Sequence, residues 1–154
     1  MTGSGEMLGS ERLYLLTRIG SERVAFPADA IEAVVPVGDV TPVPGAPGQV
    51  VGLVAIRSRV LTLLDTAELV GEQSSGRATF MALVSHGGHG YALALDRVDD
   101  VRALGVPRAA VGALSPAWRA LDPALAELDG SSIVVVDPHA MIELAANVAM
   151  SRAA

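Results

Sequence analysis

The apolar positions of this chain fall in short runs, each closed by Gly, Pro, Asp or Arg, which predicts buried strands rather than long helices. Leu13 to Ile19 reads as a strand, Gly20-Ser21-Glu22 as a hairpin turn and Arg23 to Phe26 as the returning strand. Pro27 to Ala30 is a short helical turn leading into a third strand, Ile31 to Val37. Thr41 to Gly48 carries Pro42, Pro44 and Pro47, whose fixed φ and missing N–H predict an extended, rigid connector. Val50 to Ile56 and Val60 to Leu64 form the next hairpin around Arg57-Ser58-Arg59, and Asp65 is placed to N-cap a short helix ending at Val70.

A polar gap, Gly71 to Arg77, precedes a second set of elements. Thr79 to Val84 and Tyr91 to Leu95 make a hairpin around Ser85-His86-Gly87-Gly88-His89-Gly90, and Val98 to Leu104 continues the sheet. Pro107 to Pro123 has no period and reads as a loop. Leu125 to Leu128 and Ile133 to Val136 form a closing hairpin that turns at Asp129-Gly130. Asp137-Pro138 opens a C-terminal helix over residues 138–150, with proline in the first turn, where it is tolerated.

The two sets repeat each other. Ala25 to Val34 and Ala92 to Val101 share the order Ala, apolar, two residues, Asp, one residue, apolar, acid, one residue, Val. Leu61 to Asp65 matches Ile133 to Asp137, each a strand ending in a helix-capping Asp, and Leu69 and Met141 then become equivalent. Two matches in the same order, at offsets of 67 and 72 residues, predict two similar small β-barrels around a shared core. The expected organisation is a flexible tail over residues 1–10 and one domain over 11–150. Within it lie two subdomains, roughly 13–70 and 78–137, and the C-terminal helix. A length of 154 residues suits one such domain.

Composition removes several functions. No cysteine is present, which excludes disulfides, thiolate metal sites and a thiol nucleophile. The net charge of −6 and the absence of a basic stripe argue against nucleic acid as a partner. No run approaches the ~18 apolar residues a membrane helix needs, and Met1 to Arg12 lacks the apolar core of a secretory signal, so a cytoplasmic protein without membrane insertion is expected. With 51% hydrophobic residues and only 18% charged, part of the apolar surface is expected to be covered by a partner.

Catalytic and metal chemistry find little support. His86-Gly-Gly-His89 could be half a metal site, but no carboxylate is close in sequence and a polar hairpin tip explains it. His139 is expected to be exposed at a helix start. Asp99 and Asp100 are adjacent strand residues pointing to opposite faces, which disqualifies them as an acid/base pair. Asp65 and Asp137 are explained as helix caps. There is no phosphate loop with lysine, no Ser-His-Asp arrangement and no nucleophile elbow, so no enzyme, metal or cofactor is expected.

The stretch Ile31 to Asp65 carries a specific resemblance. Thr41-Pro42-Val43-Pro44-Gly45-Ala46-Pro47, then Val50-Val51-Gly52-Leu53-Val54-Ala55-Ile56-Arg57, then an apolar strand ending in Asp65 resemble the hallmark of the CheW-like chemotaxis coupling family. Gly90 to Val101 and the turn at Leu128-Asp129-Gly130 resemble that family's second half, so the likeness spans about Leu13 to Met150. It implies a mainly β fold of two packed five-stranded SH3-like barrels with short helices and a C-terminal helix. It also implies an adaptor that bridges the cytoplasmic tip of a chemoreceptor and the regulatory domain of a CheA-type histidine kinase at membrane-attached arrays. By position the partner-binding residues would be Val35, Gly52 and Arg57, with an apolar groove taking a helix tip and the arginine fork pairing at its rim. Each has a plainer reading: a turn charge for Arg57, a bulge for Gly52, a core contact for Val35. Ser58 stands where the family motif has glycine, Ala33 where an acid is frequent, and Leu61-Thr62 where "V-P" is frequent. These departures leave open a second task on the same fold, a regulator that binds one array component or another signalling protein, for example in a pilus or surface-behaviour system.

Overall fold

The computed structural model describes residues 12–73, 78–110, 112 and 114–153, with side chains as far as residue 147. The described residues form strands β1 (Arg12–Ile19), β2 (Glu22–Pro27), β3 (Ala33–Pro36), β4 (Val50–Ile56), β5 (Arg59–Asp65), β6 (Phe80–His86), β7 (His89–Leu95), β8 (Arg97–Leu104), β9 (Arg108–Ala109), β10 (Ala124–Leu128) and β11 (Ser131–Val135). The helices are α1 (Thr66–Leu69), α2 (Pro116–Arg119) and α3 (Pro138–Ala153), and a 3-10 turn spans Ala28–Ala30. One sheet has the order β8-β1-β2-β11-β10-β9 and the other β3-β6-β7-β5-β4.

The strands read as near-continuous apolar runs because both of their faces are buried. Along β1, Tyr14 and Leu16 enter the interior of the six-stranded sheet with Ala25, Ile133 and Val135. Leu15 and Ile19 point the other way, into a larger core shared with Leu64, Leu93, Trp118 and Met141. The five-stranded sheet has its own interior around Val54, Leu61, Leu63, Met81 and Leu83. Each sheet therefore wraps a small core, and the two pack back to back over a larger one. The five-stranded ring closes through the connector. Val37 N–H donates to the Thr79 carbonyl at one edge, and Thr41 exchanges both backbone bonds with Leu53 at the other, each 2.8 Å.

The repeat is present in the topology, with an exchange. Replacing β1, β2, β8, β11 and β10 by β6, β7, β3, β5 and β4 converts the main part of one strand order into the other. The register agrees residue by residue: Val135 pairs with Ala25, and Leu63, its counterpart at an offset of 72, pairs with Ala92, the counterpart at 67. However, the sheets do not divide at 13–70 and 78–137. The hairpin β1–β2 joins β8, β10 and β11, while β6–β7 joins β3, β4 and β5. The chain crosses between sheets at residues 28–32 and at Asp96, inside the matched segments. Crossing there lets each half bury the other's strand edges, which two separate halves would leave open.

Two expectations are corrected. The segment 107–123 is not a loop throughout. It contains β9, which makes one sheet six-stranded, and α2, which starts with Pro116 in its first turn and buries Trp118 in the shared core. A single aromatic between Ala and Arg gives no period to read, so only packing defines this helix. The C-terminal helix forms as expected over Pro138–Ala153, with Met141, Ile142 and Ala145 on its core face. The expected tail, residues 1–10, lies outside the described residues.

Candidate functional site

Arg57 and Ser58 are the two residues of the β4–β5 turn, with φ of 50° and 67°. Both φ values are positive, as a two-residue type I′ hairpin turn demands, although Asn-Gly or Asp-Gly is the relaxed choice there. Both side chains are exposed, and Arg57 has no hydrogen bond or ion pair among the described residues. Its neighbour Arg59 is engaged instead, 3.1 Å from Glu32, which also accepts a hydrogen bond from the Ser85 hydroxyl. Those two donors hold the Glu32 carboxyl below the usual carboxylate range, the Ser85 bond contributing most. The turn thus projects one uncommitted guanidinium beside a charge cluster that is already satisfied.

Gly52 lies in β4 next to a bulge, where Val51 is the extra residue between the pairs Val50–Leu64 and Gly52–Leu63. It is buried, and a Cβ there would collide with the Thr41 carbonyl and lie 2.8 Å from Val40 Cγ1. The backbone that approaches Gly52 is therefore the chain's own connector and not that of a partner. Val35 pairs with Met81 in the β3–β6 ladder and packs, half-buried, against the interior of the five-stranded ring. The three residues share one barrel but form no single pocket. About five residues of extended chain, roughly 17 Å, separate Gly52 from Arg57 along β4.

A cavity of about 660 Å³ opens at the far end of β5 from Arg57. Val37, Val40, Leu63 and Ala94 give it an apolar floor, with Asp39, Asp65 and Asp96 at its walls. Asp65 accepts the Glu68 N–H as the cap of α1 (3.1 Å), and Asp96 accepts the Gly20 N–H (2.6 Å). Two of the three carboxylates are thus occupied by structural bonds, and no metal-holding cluster occurs among the described residues. Asp99 is the bulged residue opposite Leu16–Thr17 and pairs with Arg97 at 2.7 Å, a surface role.

Two features were invisible in the sequence. Gln49, buried at the end of the connector, donates from Nε2 to the Ala145 carbonyl (3.1 Å) while its backbone carbonyl accepts from Asp65 N–H (2.7 Å). It ties the connector to both α1 and α3. His139 is not exposed as expected but half-buried, with its Nδ1 3.0 Å from Nδ1 of His86. No sequence signal links these histidines, which stand 53 residues apart.

Set against known proteins, residues 13–146 match the family model of the CheW-like domain. The chain belongs to the CheW-like family. A search of curated proteins finds no match. Among solved structures, the scaffolding protein TtCheW from Thermoanaerobacter tengcongensis superposes with a TM-score of 0.71 at 16% identity, over 84% of this chain and 86% of that one. At that identity the superposition speaks for the CheW-like fold, while the family match makes the chain one of a class of non-catalytic chemotaxis adaptors. No described helix is long and apolar enough to cross a membrane.

Proposed function

We propose that this CheW-like chain couples the cytoplasmic tip of a chemoreceptor to the regulatory domain of a CheA-type histidine kinase, acting in the cytoplasm and recruited to membrane-attached arrays. The observation that carries the reading to a residue is Arg57, an exposed arginine held at positive φ with no pairing group among the described residues. An arginine in that conformation carries a backbone cost of roughly 1 kcal/mol, and strained residues of this kind cluster at functional sites. Its fork can engage a carboxylate or carbonyl on a partner. Val35 contributes by shaping the barrel wall, and Gly52 by letting the connector lie flat against β4.

A second reading keeps the fold and reduces the partners to one. Ser58, with φ of 67° where the family motif has glycine, favours it, because the turn's tip differs in the segment assigned to partners. Affinity capture of the tagged chain from its native cells separates the two. A kinase and a receptor recovered together support coupling, and either one alone supports the single-partner regulator. Replacing Arg57 by Glu is expected to weaken the captured interaction by about 1–3 kcal/mol with the melting temperature unchanged. Unfolding by Arg57→Glu would make the arginine structural and remove it from the site.

A further inference from the structure

We infer that His86, His139 and Glu143 form a proton-sensitive latch that holds α3 on the β6–β7 hairpin. His86 ends β6, its side chain 29% exposed, and reaches α3 with both ring nitrogens. Nδ1 lies 3.0 Å from His139 Nδ1, and Nε2 lies 3.4 Å from the Glu143 carboxylate, one helical turn further along α3. The ring centroids are 5.1 Å apart, close to the largest separation that a 3.0 Å nitrogen contact allows. The two nitrogens therefore face each other nearly head-on, as in a hydrogen bond, rather than converging on a common ion.

That geometry restricts the protons. The carboxylate accepts only, so His86 donates from Nε2–H, its Nδ1 is bare, and His139 donates from Nδ1–H. One added proton is tolerated: it sits on His86 Nδ1, the resulting cation keeps Glu143 at its Nε2–H, and His139 shifts its own proton to Nε2 and accepts at Nδ1. A second proton sets N–H against N–H at 3.0 Å on two cations, and the contact must open. The latch is thus closed with zero or one added proton and lost on acidification. The other charged groups nearby are Asp137, whose Oδ1 accepts the His139 N–H (2.9 Å), and exposed His89, paired with His86 across the hairpin. Exposed Glu68 lies on α1, which also packs on α3.

The fold does not demand these imidazoles. By the repeat, His86 corresponds to Ile19 and His139 to Ala67, and both of those are buried in the shared core. The same junction is apolar in one half and titratable in the other. It also lies at the end of the five-stranded barrel that carries Arg57, since β5 and β7 run parallel and begin together. An effect of the latch on partner binding rests on the adaptor reading, but the latch itself is tested without any partner.

The test is amide hydrogen exchange of the full chain between about pH 8 and about pH 5, where imidazoles titrate, corrected for intrinsic rates. Protection of α3 should fall by about tenfold or more in the wild type. It should stay level in the double variant His86→Ile, His139→Ala, which copies the apolar pair. An equal fall in both proteins, or none in the wild type, overturns the latch. Should the double variant not fold, imidazole NMR of the wild type decides. His86 and His139 should titrate as one coupled pair. Independent simple curves for the two would overturn the proposal.

Discussion

The turn at Arg57-Ser58 and the turn at Asp129-Gly130 occupy equivalent places in the two halves, 72 residues apart. Both are two-residue hairpin turns with positive φ throughout, 50° and 67° in the first, 52° and 83° in the second. Asp-Gly is a relaxed choice for that backbone, and Asp129 is gripped by Arg102 at 2.8 Å. That partner holds the Asp129 carboxyl below, and the Arg102 guanidinium above, their usual ranges. Arg-Ser is a poor choice, and Arg57 has no such partner among the described residues. One turn is optimised for its own chain, whereas the other spends conformational energy to present a cation. Function is better sought where a repeat departs from its counterpart than where the two agree.

The comparison breaks most visibly at Gly52, whose counterpart at the same offset is Ala124. Gly52→Ala should destabilise the protein by about 1–3 kcal/mol, because the connector backbone occupies the Cβ position. Ala124→Gly should cost only about 0.5–1 kcal/mol, from chain entropy. Chemical denaturation of both variants checks the pair, and equal losses would mean the connector yields easily. A smaller effect of opposite sign is expected from Arg57→Asn with Ser58→Gly, which relaxes the first turn. A gain of about 1 kcal/mol should raise the melting point by about 2–4 °C. Partner binding should fall at the same time, and a gain in stability with binding retained would separate the strain from the site.

The smallest effect concerns Glu32, the counterpart of Asp99. Its carboxyl is lowered by Ser85 and Arg59, so its contribution is present above the ordinary carboxylate range and fades as pH falls through the lowered value. The groups are about half exposed, so the contribution is at most about 0.5 kcal/mol. Glu32→Gln should therefore melt slightly below the wild type near neutral pH and level with it in acid. A difference that grows in acid would reverse the assignment.

Most of the secondary structure was legible. The hairpins at residues 20–21, 57–58 and 129–130, the Asp65 cap and the C-terminal helix all follow from local turn chemistry and apolar runs. The internal repeat was legible too, and the register that the structure adds, Ala25 with Val135 and Ala92 with Leu63, keeps its alignment. Of the candidate site residues, Arg57 was placed on its turn by spacing alone. For Gly52 the bulge is legible in a strand glycine, but the connector lying against it is not, since which backbone approaches a strand glycine is a long-range fact. Trp118 gave no warning of a helix because α2 has one buried side chain and no repeat of it.

By itself the sequence determined where most strands lie, which residues turn the chain, and that two halves share one plan. Those properties rest on φ preferences and on the alternation of apolar and polar neighbours, which act over a few residues. Only the tertiary structure decided that the halves exchange their first hairpins, that Gly52 backs the connector, and that His86 meets His139 across 53 residues. Those outcomes depend on which buried faces and strand edges find each other once the shared core forms.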